Sequence, residues 1–399
     1  MSKATTATPS TDADLFAPEI VADPFPTLTA LRGQARAVYS TKHDFYVLTR
    51  YDDVRATARD WESFTSSKGV GLTEQFNKQI ADSVLATDPP EHDALREGLS
   101  DKLAPRRLSG IRQRISDYAN ELVAGVVEMG TFDGVVDIAR VFPINVVGDL
   151  VGLPVEGREK LHPGADATFA GFGPFGPYVM EHLAQLQAYH QWMGTMADRS
   201  KLAPGGWGEA IMDAVDDGRL TVLGAIRTVS AYLTAGMDTT VNAIAALMRL
   251  FADRPDVWDA LKADPKLAAP IFEEILRLES PVVGFWRVAT RDVDFGDVTV
   301  PEGSKVLLHW AAANRDPEKY PNPDSFDIER NPLDHLAFGY GVHACAGQGL
   351  ARLEAVTLLE ALAGQIDTIE LAGEPVRGRN PIVRGYESVP LRVTPRRRS

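Results

Sequence analysis

Cysteine occurs once among the 399 residues, at Cys345, inside the run FGYGVHACAGQG (338–349). Gly339, Gly341, Gly347 and Gly349 crowd the same stretch, which has neither a helical nor a strand-like pattern. Glycine lets backbone turn tightly and come close to a partner, so the thiol is expected against something flat or bulky. Helical spacing resumes directly afterwards in LARLEAVTLLEALAG (350–364), where Leu350, Leu353, Val356, Leu359 and Leu362 share a face. Cys345 therefore stands at a helix mouth, where unpaired N–H groups favour an anion and a thiolate is expected over a thiol. A single cysteine excludes a disulfide framework and every multi-thiolate zinc or iron–sulfur site. A metal held here must draw its other ligands from outside the protein.

Other residues capable of chemistry are scattered. DPPEHDALRE (88–97) sets His92 and Arg96 one helical turn apart, a clamp for an acid. FWRVATRD (285–292) places Arg287 between apolar neighbours, and DHLAFG (334–339) places His335 just ahead of the cysteine run. Taken singly, each reads as a solvated or locally bonded cation. IFEEILRLESP (271–281) puts Glu274 and Arg277 three apart on one helix face, which alone reads as a surface pair of little energetic value. AGMDTT (235–240) interrupts an apolar run with Gly236, Asp238 and Thr239; the Thr239 hydroxyl can bond the Ala235 carbonyl and bend a helix there.

The elements that must position these residues are mostly helices. The longest spans LTVLGAIRTVSAYLTAGMDTTVNAIAALMRLFAD (220–253), apolar around nearly its whole circumference and so central and buried. At ~1.5 Å per residue it runs roughly 45–50 Å. Further helices are expected over about 114–129, 143–152, 179–199, 255–263 and 267–279, with DAVDDGRL (213–220) a polar loop. Short strands are expected in 37–51 around a turn near Asp44, and in 293–310. Residues 1–14, polar and small, are expected to be a disordered tail, and 15–399 one domain. Net charge is −14, from 41 Lys and Arg against 55 Asp and Glu, which argues against non-specific nucleic-acid binding. No apolar stretch is long enough to span a membrane, and one free thiol suits a reducing cytoplasm.

Together the pieces point to haem. It supplies four nitrogens and leaves one axial seat for a protein sulfur and one for dioxygen. Its two carboxylates call for His and Arg donors, for which His92, Arg96, Arg287 and His335 are candidates. The long helix would supply the opposite wall, with Gly236 leaving room for dioxygen.

At this point the chain resembles the cytochrome P450 family, over roughly residues 20–395. FGYGVHACAG matches the haem loop Phe-Gly-x-Gly-x-His-x-Cys-x-Gly, AGMDT the oxygen-activating helix motif, Glu274 to Arg277 the Glu-x-x-Arg motif, and Asn314, Arg315 and Asp316 a further family pattern. The resemblance implies a mainly α P450 fold, a large helical domain with a long central helix and a small β-rich region. It implies haem b with Cys345 as axial thiolate, Phe338 and Gly347 beside the sulfur, and Ala235 and Gly236 against the ring. Asp238 and Thr239 become the proton relay to bound dioxygen, and Glu274 with Arg277 a buried structural pair. It further implies a monooxygenase of the bacterial class I type, fed electrons from NAD(P)H through a ferredoxin or similar small redox partner and its reductase. Lys102, Arg106, Arg107, Arg112 and Arg352 are expected on the docking side.

Substrate walls are expected from Leu72, Phe169, Phe172, Phe175, Val283, Phe285 and Trp286, a set that favours a small flat aromatic. SSKGVGL (66–72), TFAGFGPFG (168–176) and AGMDTTVN (235–242) resemble segments of family members that demethylate methoxy-substituted aromatics. The expected reaction gives a phenol and formaldehyde from a guaiacol-type methoxyphenol or a para-methoxybenzoate. Relatives that bind a benzoate carboxylate use an Arg in the 66–72 loop and Arg or Ser on the long helix; here the loop has Lys68 and the helix offers Ser230 and Ala231, a departure that weakens the anionic case. The alternative is a hydroxylase of a terpene, polyketide or fatty acid; a further one is a non-enzymatic haem-thiolate sensor or carrier.

Overall fold

The computed structural model describes residues 8–100, 102–218 and 221–397. Six strands form the main sheet: β1 (Ser10–Thr11), β2 (Ala37–Ser40), β3 (Phe45–Leu48), β4 (Phe64–Thr65), β5 (Phe285–Ala289) and β6 (Lys305–Leu308), in the order β1-β2-β3-β6-β5-β4. β2 and β3 make a hairpin turned at Asp44, whose φ is +55°. β1 corrects the expectation of a disordered tail over 1–14. Ser10 and Thr11 pair in parallel with Tyr39 and Ser40, and the Tyr39 N–H donates to the Pro9 carbonyl at 2.8 Å. Residues 1–7 lie outside the described part.

The helices that matter for function are α1 (Glu91–Ser100), α2 (Pro105–Met129), α3 (Leu161–Ala170), α4 (Val222–Asp253), α5 (Ala268–Glu279) and α6 (Gln348–Gln365). α4 starts where the Thr221 hydroxyl accepts the Gly224 N–H, and it is unbroken through AGMDTT. There the Thr239 hydroxyl donates to the Ala235 carbonyl at 2.9 Å. From Met237 to Phe251 most of its side chains are buried whichever way they point, because α3, α5, α6 and the segments 141–151 and 207–216 surround it. α2 packs along α6 and closes the far side.

Some boundaries differ from expectation. α2 begins nine residues earlier, at Pro105, whose ring suits a first helical position. The run expected as one helix over 179–199 is two, Pro177–Glu181 and Leu183–Gly194. The run read as a loop from 213 is helical to Asp216. Among the described residues no helix is long and apolar enough to cross a membrane.

Glu274 and Arg277 on α5 are both fully enclosed, joined by two hydrogen bonds of 2.7 and 2.8 Å. Arg277 also donates to the carbonyls of Asn314, Pro323 and Ser325. The Asn314 side chain in turn accepts the Leu336 N–H at 2.7 Å, two residues ahead of Phe338. The pair thus anchors the approach to the cysteine loop.

Candidate active site

The loop that carries Cys345 is shaped by glycine where backbone demands it. Gly339 and Gly341 have φ of +68° and +76°. A Cβ on Gly341 would also meet the Ala58 carbonyl oxygen at 2.5 Å. The Cys345 N–H donates to the Phe338 carbonyl at 2.8 Å, which closes the loop on itself. α6 begins immediately after it. The helix mouth is only half of the electrostatics: burial pushes the Cys345 thiol up, while the N–H groups of Gly347 and Gln348 and the charges of Arg96 and Arg352 pull the other way. In the polypeptide alone burial prevails.

A cavity of about 1320 Å³ lies over this loop. Cys345, Gly347 and Phe338 line it from the loop, and Ala235, Gly236 and Thr239 from α4. A methyl group on Gly236 would touch only Val147, at 3.8 Å, so protein packing does not require glycine there. The missing side chain leaves space in the cavity instead.

One flank of the cavity is cationic. Arg96 from α1, Arg287 from β5 and His343 from the cysteine loop all line it. Arg287 is wholly enclosed; burial pulls its pKa down to about 10, and its Nη1 donates to the Trp286 carbonyl at 2.7 Å. Burial also lowers Arg96, whose Nη2 donates to the Ala344 carbonyl. His343 is pushed down to about 4, chiefly by burial, and its Nε2 lies 3.0 Å from the Ser66 hydroxyl. His92 packs edge-on against it at 4.5 Å between ring centres, and the buried His92 Nε2 has no partner. Asp88 is the nearby anion. Burial would raise it, but donors from His343, Thr65, Ser66 and Ser67 hold it well below the usual carboxylate range.

The donor set fits haem: one sulfur, two guanidinium groups and imidazole nitrogens for two carboxylates, and open space on the α4 side. Among the described residues no cluster of His, Cys, Asp and Glu could hold a metal by itself.

His335 needs correcting. It does not line the cavity; its Nε2 is 3.1 Å from the Glu273 carboxylate, and its Nδ1 accepts the Ala337 N–H. Glu273 also binds Arg352 through two bonds of 2.6 and 3.0 Å, so His335 is a braced structural residue beside Phe338. The histidine that lines the cavity beside the cysteine is His343, which the motif itself contained two residues before Cys345; His190 also lines the cavity, away from the loop.

Asp238 and Thr239 turn to different sides of α4. Thr239 lines the cavity. Asp238 does not; it is fully enclosed next to His162 and Asn242. Burial pushes its carboxyl well above the ordinary range, Asp166 adds to that, and Arg140 and Asn242 oppose it.

Of the expected substrate walls, Phe169, Phe172, Phe175 and Phe285 line the cavity. Phe172 packs at 5.0 Å from Phe285 and 6.0 Å from Phe169. Phe175 is 62% exposed and sits at the rim. Trp286, Val283 and Leu72 do not line it. Side chains alternate along β5, so with Phe285 and Arg287 on the cavity side, Trp286 faces Phe45 and Phe16 in the apolar cluster packed on the main sheet. Val282 lines the cavity in place of Val283, whose N–H is tied to Ile382. Leu72 is held between the Phe172 carbonyl and the Lys305 amine. Phe76, not expected, completes the aromatic wall at 4.6 Å from Phe172; its signal was an isolated ring in the polar run TEQFNKQ.

Residues 265–362 match the family model described as Cytochrome P450. The chain is 39% identical over 387 residues to cytochrome p450 CYP199A2 of Rhodopseudomonas palustris, covering 96% of this chain and 94% of that one. It is 32% identical over 404 residues to the beta-dihydromenaquinone-9 omega-hydroxylase of Mycobacterium tuberculosis, covering 97% and 79%. The solved structure of cytochrome P450 CREJ in complex with (4-ethylphenyl) dihydrogen phosphate superposes with a TM-score of 0.85 at 27% identity, covering 94% and 98%.

Proposed function

The chain belongs to the cytochrome P450 family and is a haem-thiolate monooxygenase, and from that premise we propose that its substrate is a small, neutral, methoxy-substituted aromatic. The carrying observation is the ring-packed wall of Phe76, Phe169, Phe172 and Phe285 over the cysteine loop. Offset and edge-to-face ring contacts are worth about 0.5–1.5 kcal/mol each beyond area burial, which favours a flat aromatic ligand. The charges support neutrality. Arg96 and Arg287 are suited to the haem carboxylates. Arg227 lines the cavity at its exposed rim, where it faces Asp82 at 3.4 Å, and Lys68 is exposed and does not line the cavity. Ser230 and Thr234 do line it, and both hydroxyls contact the Tyr189 hydroxyl, which suits a phenolic O–H.

Haem, when bound, would supply dioxygen activation, with the electron donation of a thiolate favouring O–O cleavage. Cys345 would hold it, and Arg96, Arg287, His343 and His92 are suited to its carboxylates. Phe338 and the Gly347 N–H shield and tune the sulfur. The Thr239 hydroxyl, whose own proton goes to the Ala235 carbonyl, presents its oxygen at the cavity wall, and Asp238 is the proposed source of the protons it passes on. The phenylalanine wall excludes water and turns the methoxy group toward the reacting centre. Hydroxylation of the O–CH₃ carbon then yields a hemiacetal that collapses to phenol and formaldehyde. Electrons come from NAD(P)H through a ferredoxin or similar small redox protein and its reductase, docking on the Cys345 side where Arg112 and Arg352 are partly exposed. The setting we propose is the cytoplasm.

The test is a titration of the ferric protein with neutral guaiacols and with para-methoxybenzoate, read by the haem spin-state shift, followed by formaldehyde analysis. Guaiacols should shift the spectrum more. A larger shift with the benzoate overturns the neutral reading, and turnover without formaldehyde overturns demethylation. The cavity volume and the menaquinone-hydroxylating relative favour one second reading, hydroxylation of a larger terpene, polyketide or fatty acid; a stronger spin shift with such a ligand would select it.

A further inference from the structure

Asp238 occupies a polar pocket on the side of α4 away from the cavity. Its Oδ2 is buried and has no hydrogen-bond partner. Its Oδ1 lies 3.4 Å from His162 Nε2, on α3, and 3.4 Å from Asn242 Nδ2. An N–H···O bond is best near 2.9 Å, so the Asn242 bond is long, the His162 contact is a charge-pair approach and not an aligned hydrogen bond, and neither pins the carboxyl. His162 is 17% exposed while Asp238 is 0% exposed. One imidazole thus joins an enclosed carboxyl to solvent.

The surroundings are ionisable from every side. Asp166, one turn along α3, accepts the Tyr178 O–H at 2.7 Å and the Asn380 side-chain N–H at 2.9 Å. Arg140, after the turn 134–139, has a buried Nε without a partner, and its charge acts on both His162 and Asp238. Glu387 acts on Tyr178 from the C-terminal strands.

We propose that His162 is the proton inlet of Asp238, passing protons from solvent to the carboxyl that supplies Thr239. The inference rests on the reading of Asp238 and Thr239 as the relay to the oxygen site. In each transfer the His162 Nε2–H bond breaks and an Asp238 O–H bond forms, while solvent delivers one proton to Nδ1; loss of that proton from Nδ1 and uptake of one at Nε2, or a turn of the ring, restores the starting tautomer, and no electron moves. The loosely held carboxyl then turns and releases its proton beside Thr239. His162 acts through Asp238, so it is a positioning residue and not a catalytic one. Its ionisation agrees: burial, with Arg140, pushes it down to about 4, so it is neutral between transfers, and a neutral imidazole both donates and accepts. Burial raises the Asp238 carboxyl above the ordinary range, a direction that favours taking up a proton.

The test uses the ferric holoprotein. Asp238→Asn identifies the carboxyl stretch of Asp238 in the infrared, and mixing with D₂O times its exchange. In His162→Gln, which keeps polarity but cannot carry a proton through, exchange should slow roughly tenfold or more. The melting temperature and the reduced carbon-monoxide spectrum should stay those of the parent. Peroxide released per dioxygen consumed, with a surrogate ferredoxin and reductase, should rise in both variants. Parental exchange or parental peroxide release in His162→Gln overturns the proposal; if Asp238→Asn still raises peroxide, the relay reading survives. If Asp238→Asn alters neither band nor peroxide, both fail. Should His162→Gln not accumulate, His162→Asn replaces it.

Discussion

Glu274→Gln changes one atom and removes one charge, in a place where the structure allows the cost to be worked out. Glu274 and Arg277 are both 0% exposed, and the carboxylate takes two N–H bonds from Arg277 and one from the Asp327 backbone. Arg330 lies 3.4 Å away as a second cation. In the glutamine variant one carboxylate oxygen becomes an NH₂ group facing a guanidinium N–H, and two cations lose their buried anion. Breaking a buried pair by removing one partner costs about 3–5 kcal/mol. At about 2.1 cal/mol/K per residue the melting entropy of a chain this size is about 0.84 kcal/mol/K, so the melting temperature should fall by about 4–6 °C. Because Arg277 and Asn314 hold the approach to Phe338, haem retention should fall with it. The assay is thermal melting of the holoprotein together with the fraction showing the thiolate-type carbon-monoxide Soret band. Replacing both partners, Glu274→Leu with Arg277→Met, removes the fully buried stranded charge and leaves only Arg330, whose side chain is 12% exposed, so it should cost less than the single change. A single variant that melts with the parent, or a double variant worse than the two singles together, refutes the reasoning.

Three other outcomes follow. Cys345→His should abolish the thiolate-type Soret band of the reduced carbon-monoxide complex, and persistence of that band would mean that another sulfur-free ligand arrangement produces it. Thr239→Ala should raise peroxide release relative to product, because the hydroxyl at the cavity wall is lost; unchanged coupling counts against its role. His343→Leu should speed haem transfer to apomyoglobin far more than His335→Gln, since His343 lines the cavity and His335 is committed to Glu273; the reverse order would restore the sequence expectation.

What the sequence made legible was local chemistry; what it hid was phase. The cysteine loop, the long apolar helix and the Glu-x-x-Arg pair are contiguous patterns, and their placement needs only the chain around them. Which side of β5 meets the cavity is decided by β4 and β6 on its edges and by Phe16 and Phe45 on its other face, distant in sequence. The expectation took both Phe285 and Trp286 as walls, but alternation gives the cavity Phe285 and Arg287 and leaves Trp286 behind; likewise Val282 and not Val283 lines it. Asp238 and Thr239 are neighbours in a motif, yet successive helical residues are about 100° apart, so one turns to the cavity and one to α3. β1 was hidden for another reason: two polar residues joining a sheet edge do so by backbone bonds, which leave no side-chain pattern.

The charges around the cavity explain why one ligand suits both walls. On the cationic flank, burial works against Arg287, Arg96 and His343, and Asp88 is already engaged by Thr65, Ser66 and Ser67. At the loop, burial works against a thiolate on Cys345, despite two backbone N–H groups and two arginines. The first wall lacks negative charge and the second lacks positive charge. A flat group with two carboxylates at its edge and a cationic metal at its centre supplies both. Each burial penalty that the polypeptide carries alone becomes a contact made only when that group is bound. Binding to the folded state alone shifts the folding equilibrium by mass action, so folding and cofactor uptake are coupled through charge as well as through shape.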